Sequence, residues 1–185
     1  SFATNDWILI IDSDEVVDSE LLADLKNKRL DEKTVYKLNF KAFYKDIQVK
    51  HCGWNNQKIK RLYNKNITKY NSNDVHEDII TDSLKIEELK GNVEHYSYHT
   101  ISEFIIKADR YSTLFASNNA GKKSSSPVKA FFNGIYSFFR TYILKQGFRD
   151  GYVGLVIAFS HMVTNFYKYI KLYEFNKELK KWIYL

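Results

Sequence analysis

The run Trp7-Ile8-Leu9-Ile10-Ile11 is apolar throughout and stops at two carboxylates, Asp12 and Asp14, one residue apart. An unbroken apolar run rich in β-branched residues predicts a strand buried on both faces, as inside an α/β sheet. Asp18 or Ser19 followed by Leu21, Leu22 and Leu25 predicts a capped helix ending near Asn27. Tyr36, Leu38, Phe40, Ala42 and Tyr44 then alternate with Lys37, Asn39 and Lys41, the period of a half-exposed antiparallel strand. Residues 46–57 read as a polar loop, residues 59–63 as a strand, Asn64-Lys65-Asn66 as a turn and residues 67–70 as the returning strand. A turn at Gly91-Asn92 leads into a short strand. Thr100-x-x-Glu103 is a capping box opening a helix whose stripe is Phe104, Ala108, Tyr111 and Phe115.

Residues 117–127 have the composition of a linker and divide the chain into residues 1–126 and 127–185. Beyond Pro127 the pattern is helical and aromatic, with Phe131, Phe132, Ile135, Phe138, Phe139 and Tyr142. Gly147 to Gly151 interrupts it, a second helix covers residues 152–172, and a charged amphipathic tail follows. Residues 151–167 contain no Asp, Glu, Lys or Arg, but seventeen residues diluted by Gly154, Ser160, His161, Thr164 and Asn165 sit at the lower edge for a membrane span. An interfacial helical hairpin is the expectation, with a pair of helices packed on the first part as the alternative.

The 185 residues amount to about one domain, and 44% hydrophobic with 16% aromatic residues suffices for a core. A single Pro and seven Gly exclude a low-complexity chain. The lone Cys52 excludes an internal disulfide and fits a reducing compartment. No signal peptide and no initiator Met appear, and a strand is expected from residue 7, so the sequence predicts a fragment that begins mid-domain. Residues 128–185 hold nine Lys/Arg against three Asp/Glu, which is the whole net charge of +6, and sixteen of the thirty aromatics. Basic residues mixed with aromatics suit an anionic surface, either membrane or nucleic acid.

In extended chain, residues i and i+2 point the same way, so Asp12 and Asp14 can address one hard cation, Mg²⁺ or Mn²⁺, able to hold a diphosphate. The plain alternative is an acidic turn that caps the next helix. Trp54 offers an apolar stacking face for a sugar, or packs on the core. Arg61 can clamp a phosphate or carboxylate bidentately, or occupy a solvated strand position beside Lys58 and Lys60. Glu77 and Asp78 by themselves read equally as surface charges at a strand edge.

Asn5-Asp6-Trp7-Ile8-Leu9-Ile10-Ile11-Asp12-Ser13-Asp14-Glu15 resembles the Asp-x-Asp segment of family 2 glycosyltransferases, in the bacterial group that builds lipopolysaccharide core and capsule. Trp54-x-x-Gln57 with Arg61-Leu62-Tyr63, Val75-His76-Glu77, His95-Tyr96-Ser97-Tyr98 and Gly147-Phe148-Arg149-Asp150-Gly151 resemble further blocks of that group, in its order. The resemblance implies an α/β GT-A fold, here lacking its N-terminal part and carrying a helical C-terminal extension. It implies inverting transfer of a sugar from a nucleotide-sugar donor to a glycan or lipid-linked acceptor. It assigns Asp12 and Asp14 to the metal (Mn²⁺ or Mg²⁺) and the diphosphate, His95 to the metal, and Glu77, or Asp78 beside it, to the general base. Trp54 and Arg61 fall on the acceptor side, and the missing segment would carry most nucleotide-base contacts. The positive charge and aromatic content of residues 128–185 predict that they hold the enzyme on the inner face of the cell membrane, cytoplasmic and peripheral, near a lipid-linked acceptor.

Two other classes compete. A calcium loop starting at Asp12 would need Gly at position 17 and Glu at position 23, which are Val17 and Ala23. A non-catalytic membrane- or nucleic-acid-binding module is suggested by the basic tail, but the excess charge is modest and no nucleic-acid-binding motif appears, so nucleic acid is not an expected partner.

Overall fold

The computed structural model describes residues 3–55, 57–71 and 78–183. The chain forms two compact units: residues 1–43 with 54–97, and residues 44–53 with 98–185. Pro127, where a division was expected, opens a helix inside the second unit.

The first unit is built on a mixed sheet. Strands β1 (Trp7–Leu9), β2 (Glu15–Val17), β3 (Thr34–Tyr44), β5 (Gln57–Asn64) and β6 (Lys85–Tyr98) lie in the order β1-β5-β3-β6-β2, with the short β4 (Ile47–Val49) pairing β3 off this path. β1–β5, β3–β5 and β2–β6 pair antiparallel. β3 and β6 run side by side in the same direction, with Lys85 N–H donating to Lys33 O at their starts and Lys45 N–H to Tyr98 O at their ends. The alternation in β3 places Tyr36, Leu38 and Phe40 in the core with Leu62, Leu89 and Val93. Helix α1 (Ser19–Asn27) contributes Leu21 to the same core, and Asp18 caps it by accepting from the Leu21 N–H at 2.8 Å.

The expectation for the opening run needs correction. Only Trp7–Leu9 is strand, it lies at the edge of the sheet with β5 as its antiparallel neighbour, and Leu9 is exposed. An apolar run of five does not by itself distinguish a central strand from an edge strand whose far face is open. The returning strand at residues 67–70 is also absent. Asn64 ends β5 in a turn, taking the N–H groups of Ile67 and Thr68 on its carbonyl and that of Asn66 on its side chain, and Tyr70 makes only an isolated bridge to Ile79. Gly91 is not a turn before a strand but lies inside the fourteen-residue β6, at φ +85°. A Cβ there would strike the backbone N of Leu21 and come within 2.6 Å of Asp18 Oδ1. The glycine lets the first turn of α1 lie directly on the strand.

β1 and β2 occupy opposite edges of the sheet, yet only residues 10–14 separate them. Across a flat five-strand sheet the edges stand roughly 19 Å apart. Six Cα steps reach about 20 Å only when fully extended, and this segment also turns, with Glu15 N–H donating to Asp12 O at 3.1 Å. The sheet is therefore curled, and the segment containing Asp12 and Asp14 is the strap that joins its edges.

Apart from residues 44–53, which carry β4, the second unit is helical. Thr100 caps α2 (Ile101–Asn119) by accepting from the Glu103 N–H, while Glu103 accepts from the His99 N–H. Its buried stripe is Phe104, Ala108, Ser112 and Ala116, so the expected Tyr111 faces outward. Ser126 caps α3 (Pro127–Phe139), with Pro127 at the favoured first position. A π-helical turn (Arg140–Leu144) and a 3₁₀ turn (Gly147–Asp150) lead into α4 (Gly151–Ile183), one continuous helix where a shorter helix and separate tail were expected. Among the described residues no helix is long and apolar enough to cross a membrane.

Candidate functional site

The strap and the two strands it reaches bring together Asp12, Asp14, Glu15, Arg61 and His95. Arg61 is placed by an irregularity of the sheet. Along the β3–β5 ladder Tyr36 faces Leu62 and Lys37 faces Lys60, so Arg61 is the extra residue of a β-bulge. A bulge re-aims its side chain. The guanidinium lies 5.4 Å from the Phe40 ring centre, and its Nη2 donates to Asp12 Oδ2 at 3.0 Å and Glu15 Oε1 at 2.9 Å.

Glu15 is the buried partner, its side chain 1% exposed against 58% for Asp12. Its second oxygen, Oε2, accepts from the Asp12 N–H at 2.9 Å. Burial pushes the Glu15 carboxyl above its ordinary range, against the Asp12 N–H and the Arg61 charge, which hold it down. Arg61 Nε is buried with no hydrogen-bond partner among the described residues.

Asp14 stands on the other side of the strap. Its carbonyl accepts from the Tyr96 N–H at 2.9 Å, extending the β2–β6 ladder in which Glu15 faces His95. That pairing brings His95 Nε2 to 3.3 Å from Asp14 Oδ2, with both side chains partly exposed. His95 also meets the Phe40 ring edge-on at 6.5 Å between centres.

A cavity of about 380 Å³ opens beside Asp12, lined by Ile10, Asp12, Ile59, Lys60, Arg61, Tyr70 and Asp78. Lys60 reaches Asp78 Oδ2 at 2.6 Å and the Ile79 carbonyl at 2.9 Å, while Asp78 Oδ1 accepts from the Ile79 N–H. Both Asp78 oxygens are thus engaged. Glu77 lies outside the described residues. Trp54 is half-buried ahead of β5 and is not among the residues lining this cavity.

Among the described residues no three His, Cys, Asp or Glu side chains converge as a metal cage. The donor set present is smaller, namely the Asp14 carboxylate with the His95 imidazole, and Asp12 beyond Arg61. It fits Mg²⁺ or Mn²⁺, which is commonly held by one or two carboxylates and completed by water and substrate phosphate.

Sequence reasoning put Asp12, Asp14 and His95 on the metal and Arg61 on the acceptor side, and gave no role to Glu15 or Lys60; the structure pairs Arg61 with Asp12 and Glu15. Glu15 belonged to a recognised segment, but nothing local marks it as the acid that fastens the strap to a residue 46 positions away.

No protein-family model matches the chain. Over 98% of its length it is similar to an uncharacterized glycosyltransferase of Rickettsia felis, 26% identical over 195 residues that make up 68% of that protein. Uncharacterized glycosyltransferases of Rickettsia prowazekii and Rickettsia typhi are 26% and 27% identical over 93% and 94% of the chain, covering 63% and 64% of their own lengths. The chain therefore spans about two thirds of the length of the curated relatives it matches, and its similarity to glycosyltransferases runs along nearly all of it.

Proposed function

We propose that the protein transfers a sugar from a nucleotide-sugar donor to a glycan or glycolipid acceptor with inversion, as a family 2, GT-A-type enzyme of cell-envelope polysaccharide synthesis working at the cytoplasmic side. The observation that carries this reading is the coincidence of two independent facts. The chain is similar to glycosyltransferases over almost its whole length, and its Asp-x-Asp segment is an exposed strap beside a cavity, fixed from behind by Glu15 and Arg61.

In this mechanism Asp14 and His95, together with Asp12, would hold a divalent ion. The bound ion supplies charge neutralisation for the departing diphosphate. Arg61 and Glu15 keep Asp12 in place, so the strap does not reorganise when an anion arrives. Glu77 takes the proton of the acceptor hydroxyl as its oxygen attacks the anomeric carbon from the face opposite the diphosphate. Engagement of both Asp78 oxygens by Lys60 and the Ile79 N–H favours Glu77 over Asp78 for that task. Trp54 remains the candidate for the acceptor side, whereas Arg61, engaged by Asp12 and Glu15, serves the donor side.

The test is calorimetric titration of the intact protein with UDP, GDP and CDP, in Mn²⁺ and in EDTA. One diphosphate is expected to bind only with metal, and Asp14→Asn is expected to abolish that binding while the melting temperature holds. Metal-independent binding, or unchanged affinity in Asp14→Asn, overturns the assignment.

A further inference from the structure

α3 is packed inside out. Its buried positions are the small residues Ala130 and Gly134. At Gly134 a Cβ would lie 3.2 Å from the Met162 carbonyl oxygen and 3.3 Å from Phe166 Cβ, so α3 and α4 approach almost backbone to backbone. The outward positions are Val128, Phe131, Phe132, Ile135, Tyr136 and Phe139, all exposed, with Phe132 at 63%. A helix on a water-facing surface turns its apolar stripe inward and its polar one outward. Small residues between helices with large apolar ones outside is how helices pack where the surroundings are themselves apolar.

Charge identifies what those surroundings are. From Arg110 to Arg149 the sequence has seven Lys and Arg and no Asp or Glu. The next acid, Asp150, is turned inward with its side chain 4% exposed, accepting from the Lys50 and His51 N–H groups and pairing with His51 Nδ1 at 2.8 Å. Along this stretch of sequence the exposed apolar residues are thus accompanied by cations alone. A second copy of the chain would bring like charges together across a self-complementary contact. Because no described helix is long and apolar enough to cross a bilayer, the element would lie in the plane of the interface.

We propose that α3 and the turns after it form an in-plane docking surface for a membrane rich in anionic phospholipid. Phe131, Phe132, Ile135 and Phe139 enter the headgroup boundary, and Arg140 and Arg149, beside the exposed Phe139 and Phe148, hold the phosphates. This inference does not depend on the glycosyltransferase reading, and its test involves no sugar transfer.

The experiment is sedimentation of the intact protein with phosphatidylcholine vesicles and with vesicles containing about a third phosphatidylglycerol, at low and high salt. The protein is expected to bind the anionic vesicles, more weakly in high salt. Phe132→Glu is expected to weaken that binding about tenfold or more, and the Arg140→Glu/Arg149→Glu pair to remove the preference for anionic lipid. Both variants should keep the parent melting temperature and elution volume, since these side chains stand in water. Absence of binding to anionic vesicles, or equal binding by the variants, overturns the proposal. So does a change of oligomeric state in Phe132→Glu, which would assign the face to a second copy, or a drop of several degrees in its melting temperature, which would assign it to another part of the same chain.

Discussion

Glu15 and Arg61 meet at 2.9 Å with the carboxylate almost wholly enclosed, and through this pair the strap between the two edge strands is held to the bulge of β5. Breaking a buried pair from one side leaves a charge without compensation. Arg61→Met is therefore expected to lose about 3 kcal/mol in urea unfolding. Glu15→Gln combined with Arg61→Met should recover most of that loss. Arg61→Lys should not restore the parent, because a single ammonium does not reproduce the guanidinium that serves Asp12 and Glu15 together. A loss in Arg61→Met below about 1 kcal/mol would show that the pair does not fasten the strap.

The two adjacent acids of Glu77-Asp78 should separate cleanly. Glu77→Gln is expected to retain donor binding and lose turnover by about 10²-fold or more. Asp78→Asn, which loosens an ion pair with Lys60, is expected to change turnover far less. Sugar-transfer assays on the two variants of the intact protein decide it, and the reverse result would exchange the roles.

The segment Gly147-Phe148-Arg149-Asp150-Gly151 acts as a joint. Gly147 packs where a Cβ would lie 2.8 Å from the Thr141 carbonyl and 2.9 Å from Cys52 Sγ, and a Cβ on Gly154 would run into the Gly147 carbonyl. Burial, reinforced by the nearby Asp150 charge, pushes the Cys52 thiol up to about 12. Native Cys52 is expected to resist a thiol reagent at pH 8 over hours. Gly154→Ala should cost about 2 kcal/mol or more through overpacking and make the thiol reactive. Equal labelling rates in the two proteins would show that the joint is not tight.

Much of the fold was legible because its signals are local. The alternation from Tyr36 to Tyr44, the Asp18 cap and the Thr100 capping box each specify an element from a handful of neighbouring residues. What stayed hidden depends on partners far along the chain. Whether Trp7–Leu9 is central or at an edge is decided by β5, more than fifty residues later. That Arg61 is the bulged residue is decided by its register with β3, and Gly91 is explained by a helix seventy residues before it. At the site, Asp12 and Asp14 announced themselves by spacing, whereas Glu15 gains its role only from Arg61. Likewise the basic, aromatic character of residues 128–185 was visible in composition, but not that α3 turns its aromatics outward.

His161 gives the second unit a pH response. It sits on α4 with Nδ1 3.0 Å from Thr141 Oγ1, and Thr141 is itself buried. Burial, with the positive charges of Lys145 and Lys168 adding to it, pulls the imidazole down from 6.5 to about 4. The folded protein therefore keeps His161 neutral at pH values where the unfolded chain has already taken up a proton. The stability contributed by the neutral ring is fully present above pH 6.5 and is lost as the pH falls towards 4. Below that value both states are protonated and the loss levels off. The drop from 6.5 to about 4 corresponds to about 3 kcal/mol at most. Replacing the ring with glutamine, which keeps a hydrogen-bonding group for Thr141 and cannot titrate, should leave stability near the parent's at pH 5 and below it at pH 7. The check is the difference in unfolding free energy between the parent and His161→Gln from pH 7.5 to pH 4. It is expected to shrink steadily below pH 6.5, and a difference that stays constant across that range would show that His161 does not titrate between the folded and unfolded states.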